Sequence, residues 1–266
     1  MKIAVFMKQV PDMQTVKFDT VNRKIDRSSA AAEVNPYDLN ALEAALEISE
    51  TTGAQVIAVT MGPGSGKEVL IDAVARGAGS GVLLSDRGFG GADTKATAMT
   101  LKAAVEKIGG CDLLICGEKT VDGDTGQVGA ELAEFLGLPH ISYVEKIKEV
   151  SDVQITVETN ILDALYEVKA SYPVLLTVTK DVNIPRLPSI KGKMKAKKAE
   201  IPIWTLEDLS PYVAEEEVGV KGSPTRVHKI EVTPHIYRQS KIVSRKEEIG
   251  SFVEAMFEEL REKRVI

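Results

Sequence analysis

Gly117-Glu-Lys-Thr-Val-Asp-Gly-Asp-Thr-Gly-Gln-Val-Gly129 follows an apolar run, Asp112-Leu-Leu-Ile-Cys116, and leads into a helical pattern with Val128, Leu132, Phe135 and Leu136 on one side. A strand, a Gly- and Thr-rich turn and then a helix make a site for phosphate, because unpaired backbone N–H groups converge at a helix start. Glycines at 123, 126 and 129 permit close approach of backbone to ligand, and Thr125 and Gln127 add polar contacts. Two carboxylates, Asp122 and Asp124, would repel a diphosphate if they faced it. They are therefore expected to point away, toward backbone or ribose. By spacing alone this loop reads as a nucleotide-phosphate site and no more.

Working outward, strand-like runs over 3–7, 56–60, 81–85 and 113–116 alternate with helical patterns over 37–50, 68–76, 94–108 and 127–136. Short, uniformly apolar strands separated by helices indicate a mostly parallel sheet covered on both faces, a doubly wound, Rossmann-like α/β fold. The first helix opens with Asn35 as N-cap and Pro36 at the first helical position, and Leu39, Leu42, Ala45 and Leu46 form its sheet-facing stripe. From Val153 the period changes to two, over 154–159 and again over 165–170, so a small antiparallel ribbon is expected. Residues 173–179 read as a further buried strand. After Asn183 the chain turns Pro- and Lys-rich, an arm without its own core. The arm ends in an amphipathic helix, opened by the capping box Ser244-Arg-Lys-Glu247, with Ile249, Phe252, Val253, Met256, Phe257 and Leu260 on one stripe. These patterns divide the chain into an α/β domain, 1–183, and a C-terminal arm, 184–266.

Composition narrows the function. A chain of 266 residues buries a large core, and a formal net charge of −6 argues against a general nucleic-acid binder. Two cysteines, Cys111 and Cys116, cannot supply four thiolates to a cluster or zinc site and read as packing residues. Met1-Lys-Ile-Ala-Val-Phe-Met-Lys8 is too short an apolar run for a signal peptide, and no run approaches the length of a membrane span. A cytoplasmic protein is expected. Gly62-Pro-Gly-Ser-Gly-Lys67 approaches a P-loop, but Met61 replaces its first Gly and Glu68 its Ser or Thr. Gly77-Ala-Gly-Ser-Gly81 follows a helix and precedes a strand, the reverse of the dinucleotide context. Asp122-Gly-Asp-Thr-Gly126 lacks the later ligands of a calcium loop. The histidines, 140, 228 and 235, form no catalytic arrangement with a nucleophile.

The set Lys8-Gln-Val-Pro-Asp12, Asn35-Pro-Tyr-Asp38 with Ala41-Leu-Glu43, Asp122-Gly-Asp-Thr-Gly-Gln-Val-Gly129 and Met194-Lys-Ala-Lys-Lys198 resembles the β subunit of electron transfer flavoproteins, in order and spacing, to at least Trp204. The resemblance implies a heterodimer with an α subunit that carries a redox-active FAD, the β subunit holding either AMP or, in bifurcating members, a second FAD. Val121-Asp-Gly-Asp-Thr-Gly-Gln127 and Ser85-Asp-Arg-Gly-Phe-Gly-Gly-Ala-Asp-Thr94 look like the bifurcating branch. That branch implies hydride acceptance from NADH, with one electron sent to the α-subunit FAD and one to ferredoxin. It also implies a partner dehydrogenase of acyl-CoA or 2-hydroxy-acid type, and no activity for the chain alone. The alternatives are a non-bifurcating, AMP-binding carrier and, more remotely, a stand-alone adenine-nucleotide-binding regulator.

Carried over by resemblance, the adenosine end meets Phe6, the turn Asn35, Pro36, Tyr37 and Asp38, and Met61. The diphosphate meets Thr125, Gly126, Gln127 and Val128, within a loop that also comprises Gly117, Lys119, Thr120, Val121, Asp122, Gly123 and Asp124. Asp93, Thr94 and Thr97 face the ribityl or flavin side. Ile190 stands where the family's recognition loop carries an apolar anchor for the dehydrogenase, and the terminal helix is expected on the α subunit. Two departures stand out. Asn160-Ile-Leu-Asp-Ala-Leu-Tyr166 replaces a charged-Gly-Gly turn, and Gln9 stands where relatives often have Arg or Lys.

Overall fold

The computed structural model describes residues 1–12, 15, 17–19, 24–26, 31–162, 164–226, 228 and 248–265. The chain forms two compact units, Met1–Ile230 and Glu231–Ile266. The first unit runs β1 (Lys2–Phe6), β2 (Gln9–Pro11), β3 (Lys17–Asp19), β4 (Lys24–Asp26), β5 (Ala32–Val34), α1 (Pro36–Thr52), β6 (Gln55–Met61), α2 (Lys67–Arg76), β7 (Ser80–Leu84), α3 (Thr94–Ile108) and β8 (Leu113–Gly117). It continues with α4 (Val128–Leu136), β9 (His140–Val150), β10 (Gln154–Ile161), β11 (Ala164–Ser171), β12 (Val174–Val178), α5 (Ile190–Ala196), β13 (Ile203–Trp204), α6 (Leu206–Leu209) and α7 (Gly219–Gly222). Two short antiparallel pairs, β2 with β5 and β3 with β4, stand apart from the main sheet.

The main sheet has nine strands in the order β11-β10-β9-β12-β8-β1-β6-β7-β13. It is parallel from β9 to β13 and antiparallel across β9, β10 and β11, as the doubly wound reading requires. Successive residues of a strand face opposite ways. Ile3 and Val5 therefore join the core under α1, α2 and α5, while Ala4 and Phe6 join the core under α3 and α4. Burial on both faces is why the central strands read as unbroken apolar runs.

The direction of winding sets the site. From β1 the chain moves through β6 to β7 on one side, then returns to place β8 on the other side of β1. The β1/β8 boundary is thus the switch point, and beyond the C-terminal ends of its strands an open parallel sheet leaves a crevice.

Differences from the sequence reading have local causes. The ribbon over 154–159 and 165–170 is a hairpin of β10 and β11, but it joins the main sheet through β9, which the periodicity does not reveal. Strand β9 carries register shifts against β10 and a positive φ of 53° at Tyr143, so its alternation breaks midway. Residues 184–226, read as part of the arm, lie in the first unit. Strand β13 is only two residues long, yet Leu83 and Ser85 donate backbone bonds to the carbonyls of Pro202 and Trp204, both at 3.0 Å. Helix α5 starts where the Ser189 hydroxyl accepts from the Gly192 N–H at 2.9 Å. Ala196, Ile201, Leu209, Val213 and Val218 add to the core one at a time, too sparsely to make a period.

The second unit contains α8 (Ile249–Glu262). Its stripe residues Ile249, Val253, Met256 and Phe257 are exposed. The capping box over 244–247 lies outside the described residues. Among the described residues, no helix is long and apolar enough to cross a membrane.

Candidate functional site

Three segments converge at the switch point: Lys8 just past β1, residues 35–38 at the start of α1, and residues 117–129 between β8 and α4. Asn35 is fully buried. It stands at the N-cap position with Pro36 following, but its side chain makes no capping bond. Instead its Nδ2 donates to the Lys119 carbonyl at 2.9 Å and its Oδ1 accepts from the Val121 N–H at 3.2 Å. Its backbone N–H donates to the Lys8 carbonyl at 2.9 Å. Asn35 thus ties helix, strand end and loop together.

Asp38 does the same one turn on. Its Oδ2 accepts from the Lys8 N–H at 2.8 Å and its Oδ1 from the Gly117 N–H at 3.1 Å. Burial pushes its carboxyl up from the ordinary 3.8 to about 7, with hydrogen bonds from Lys8, Asn35 and Gly117 opposing the rise. The folded state therefore favours the neutral acid relative to the unfolded chain. The burial cost of the carboxylate is present in full above pH 7 and is relieved as pH falls from 7 toward 4. Wild-type stability relative to Asp38→Asn is expected to rise by about 2 kcal/mol between pH 8 and pH 5. Urea midpoints for both proteins across that range measure it, and a pH-independent difference would refute the assignment.

Each of the two loop aspartates meets a lysine. Lys8 Nζ lies 2.7 and 3.0 Å from the two Asp122 carboxylate oxygens. Lys119 Nζ lies 3.0 Å from Asp124 and 5.9 Å from the centre of the Tyr37 ring. Asp124 has φ 52° and donates its N–H to the Thr120 carbonyl at 2.8 Å, and Gly126 has φ 64°. The turn leaves residues 123–127 exposed, and Val128 partly so. Helix α4 then starts at Gln127–Val128 without a side-chain cap, so its first N–H groups face outward from an exposed turn. Gly129, one residue further in, lets α4 approach β12: a Cβ there would sit 2.4 Å from Thr177 Cγ2.

On the neighbouring side, Thr94 at the start of α3 lies 3.3 Å from Gln127 Oε1 and 3.1 Å from Glu131 Oε1. The other Glu131 oxygen is buried with no hydrogen-bond partner. Asp93 caps α3 through the Ala96 N–H at 3.0 Å and also holds Thr225 through its N–H and hydroxyl at 2.9 and 2.8 Å. Thr97 is half-buried and donates its N–H to the Asp93 carbonyl. Phe6 lies in the core beneath, Met61 is half-buried at the end of β6, and Pro36 is exposed. Ile190, 82 % exposed, is remote in sequence and sits on α5.

An exposed glycine-bearing turn, an uncapped helix start and an orphaned buried oxygen together fit a phosphate-bearing ligand with donor groups. Lys8 and Glu131 were not singled out as site residues from sequence. The signal for Lys8 was a lone cation at the C-terminal end of an apolar strand. Gln9, the departure from relatives, exchanges bonds with Ser65, its Oε1 accepting from the hydroxyl at 2.8 Å and its Nε2 donating to the carbonyl at 3.2 Å. Both cysteines are free, and burial pushes the Cys111 thiol up to about 11. His140 lies 3.2 Å from Thr177, His228 is exposed, and His235 lies outside the described residues.

The fold defines a doubly wound α/β protein with an exposed, glycine-bearing loop at its switch point. The electron transfer flavoprotein domain matches residues 23–209. The chain is 41% identical, over the full length of both, to the electron transfer flavoprotein subunit beta of Thermoanaerobacterium thermosaccharolyticum. It is 42% identical to the corresponding subunit of Clostridium acetobutylicum, across 86% of this chain and 87% of that one. It is also 42% identical to the caffeyl-CoA reductase–Etf complex subunit CarD of Acetobacterium woodii, with the same coverage. The chain belongs to the electron transfer flavoprotein family, on the β-subunit side, and its function is electron transfer.

Proposed function

We propose that this chain is the β subunit of a bifurcating electron transfer flavoprotein and holds FAD at the 117–129 loop. The observation that carries this reading is the exposed stretch 123–127 at the β1/β8 switch point, running into an uncapped helix. In it the N–H groups at the start of α4 receive the diphosphate, while Asn35 and Asp38 hold the loop against β1. Thr94 and Thr97, beside Gln127 and Glu131, supply hydroxyls toward the ribityl side. When bound, the FAD would supply hydride acceptance from NADH and one-electron delivery to the α-subunit flavin and to ferredoxin. The two segments that resemble the bifurcating branch, 85–94 and 121–127, support FAD over AMP. The relative in the caffeyl-CoA reductase–Etf complex favours a dehydrogenase partner of the acyl-CoA class. A cytoplasmic location accords with such partners.

The exposed stripe of α8 suits the α subunit as its contact. Nucleotide extraction from the co-expressed α/β complex tests the whole reading. Two FAD per heterodimer, reducible by NADH, is the expected result. One FAD plus AMP would replace it with a non-bifurcating carrier.

Docking of the dehydrogenase falls to the segment around α5. Ile184, Leu187, Ile190 and Met194 are all exposed there, among Lys191, Lys193, Lys195, Lys197 and Lys198. Apolar anchors provide affinity and rim charges raise encounter rate. The segment is held rather than loose. Arg186 makes bonds of 2.9 to 3.0 Å to the Glu43 carboxylate, and Asn40 Nδ2 donates to the Asn183 carbonyl at 2.9 Å. Ile190→Ala is expected to slow electron delivery to the dehydrogenase by roughly fivefold, a truncation worth ~1 kcal/mol. NADH reduction of the complex should be unchanged. Equal loss of both rates would remove Ile190 as an anchor.

A further inference from the structure

The stretch 85–93, between β7 and α3, is covered by a strap, residues 205–225, and its aspartates and glycines are spent on that contact. At one end Asp86 accepts from the Gly88 N–H at 2.8 Å through Oδ1 and from the Leu206 N–H at 3.1 Å through Oδ2. In the middle a Cβ on Gly219 would lie 1.9 Å from the Gly88 carbonyl oxygen, and one on Gly91 would lie 2.5 Å from Val220 Cγ2. At the other end Asp93 is gripped twice. Its N–H donates to Ser223 Oγ at 2.8 Å, and its Oδ2 accepts from the Thr225 N–H and hydroxyl at 2.9 and 2.8 Å. Ser223 is fixed in turn, its hydroxyl donating to the Gly219 carbonyl at 2.7 Å. The remaining Asp93 oxygen, Oδ1, caps α3 through the Ala96 N–H at 3.0 Å. Burial raises the Asp93 carboxyl, and hydrogen bonds from Ala96, Thr225 and Ser223 overcome it, holding the group below the usual carboxylate range. Both carboxylate oxygens are thus taken up by the chain itself. The next residue, Thr94, is the one whose hydroxyl stands against Gln127 and Glu131.

We propose that Ser223 and Thr225 are positioning residues of the candidate site: through Asp93 they hold the first turn of α3, and so keep the Thr94 hydroxyl in place beside Gln127 and Glu131. The inference rests on the FAD reading above and deepens it, making the ribityl side of the site depend on a strap about 130 positions further along the chain. Bonds to a carboxylate are charge-assisted and roughly twice as strong as neutral ones. Without the Thr225 hydroxyl and Ser223, Asp93 is freer to turn toward water, and the α3 cap loosens with it. A ribityl chain needs its hydroxyl partners at fixed distances. AMP has no ribityl chain and does not extend to Thr94. The effect therefore falls on FAD and spares AMP, whereas a general loss of stability would weaken both.

The test is calorimetric titration of FAD and, separately, of AMP into the α/β complex containing the full-length chain, dialysed down to one FAD per heterodimer. Thr225→Val is expected to weaken FAD binding by ~5-fold, and Ser223→Ala with Thr225→Val by ~10-fold, as loss of bonds to a charged group does. AMP binding should stay within about twofold in both, since neither residue meets the ligand. Thr225→Ser, which keeps the hydroxyl, should restore wild-type FAD affinity. Ser210→Ala removes a bond of the same strap away from 85–93, from the Ser210 hydroxyl to the Glu207 carbonyl at 2.8 Å, and should change neither affinity. Unchanged FAD binding in the double variant would overturn the proposal, and so would equal weakening of FAD and AMP or failure of Thr225→Ser to restore. A wild-type complex that takes AMP but no second FAD would instead remove the FAD reading on which the proposal rests, whatever the variants do.

Discussion

Gly126→Val is expected to leave the purified complex without bound nucleotide. Gly126 has φ 64°, in the left-handed region, and stands in the exposed part of the loop just before α4. An ordinary L-residue there costs about 1–2 kcal/mol, and a β-branched one fits worst. The turn would relax toward negative φ and swing the outward-facing N–H groups of Gln127 and Val128 away from the crevice. A valine side chain would also stand where the backbone must meet phosphate. Because the stretch is exposed, the fold should survive, with the melting temperature of the nucleotide-free protein lowered only modestly. Gly126→Asn is the matched control, since asparagine tolerates the left-handed region, and it should keep most of the nucleotide. Flavin and adenine content after gel filtration reads the outcome. Wild-type content in the valine variant would remove this loop as the site.

Gly117→Ala is expected to damage the fold at the same place. An added Cβ would lie 2.5 Å from Tyr37 Cβ, 2.6 Å from Asp38 Oδ1 and 2.9 Å from the Tyr37 backbone carbon. The last is main chain at the start of α1 and cannot rotate aside. Either β8 or α1 must move, and the bond from the Gly117 N–H to Asp38 is lost with the displacement. Overpacking of this kind costs about 1–3 kcal/mol, and an unpaired oxygen on a buried carboxylate adds to it. Urea denaturation should show the loss, with nucleotide affinity falling in parallel. Gly64→Ala is the control, having nothing within 4 Å of an added Cβ and no positive φ. A Gly117→Ala variant as stable as that control would contradict the close approach of α1 to β8.

Both predictions fall within residues that the sequence had already marked, and the structure adds the positive φ of Gly126 and the close approach of α1 to Gly117, which the sequence did not contain. The glycine pattern at 123, 126 and 129 reads as one cradle in sequence. In the structure, Gly123 and Gly126 belong to the exposed turn, while Gly129 is required by the packing of α4 against Thr177 and Cys116. Asn35 reads as a helix cap because its residue type and the following proline match that role. Its side chain is instead spent on the loop more than eighty residues away, a choice that local sequence does not encode. Asp122 and Asp124 looked anomalous beside a phosphate because the lysine that meets Asp122 lies 114 positions earlier in the chain.

Hydrophobic period, cap residues and turn residues act over a few positions, and these determined the α/β alternation, the bounds of α3, the Pro-led start of α1 and the existence of the loop. They also determined, through a recurring set of short motifs, the family to which the chain belongs. Strand order, the switch point between β1 and β8, the joining of β9 and β13 to the sheet and the pairing of Lys8 with Asp122 required the tertiary structure. The physical reason is range. A helix or strand announces itself through neighbours on its own face, whereas a buried ion pair or an edge strand two residues long exists only once distant segments have been packed side by side.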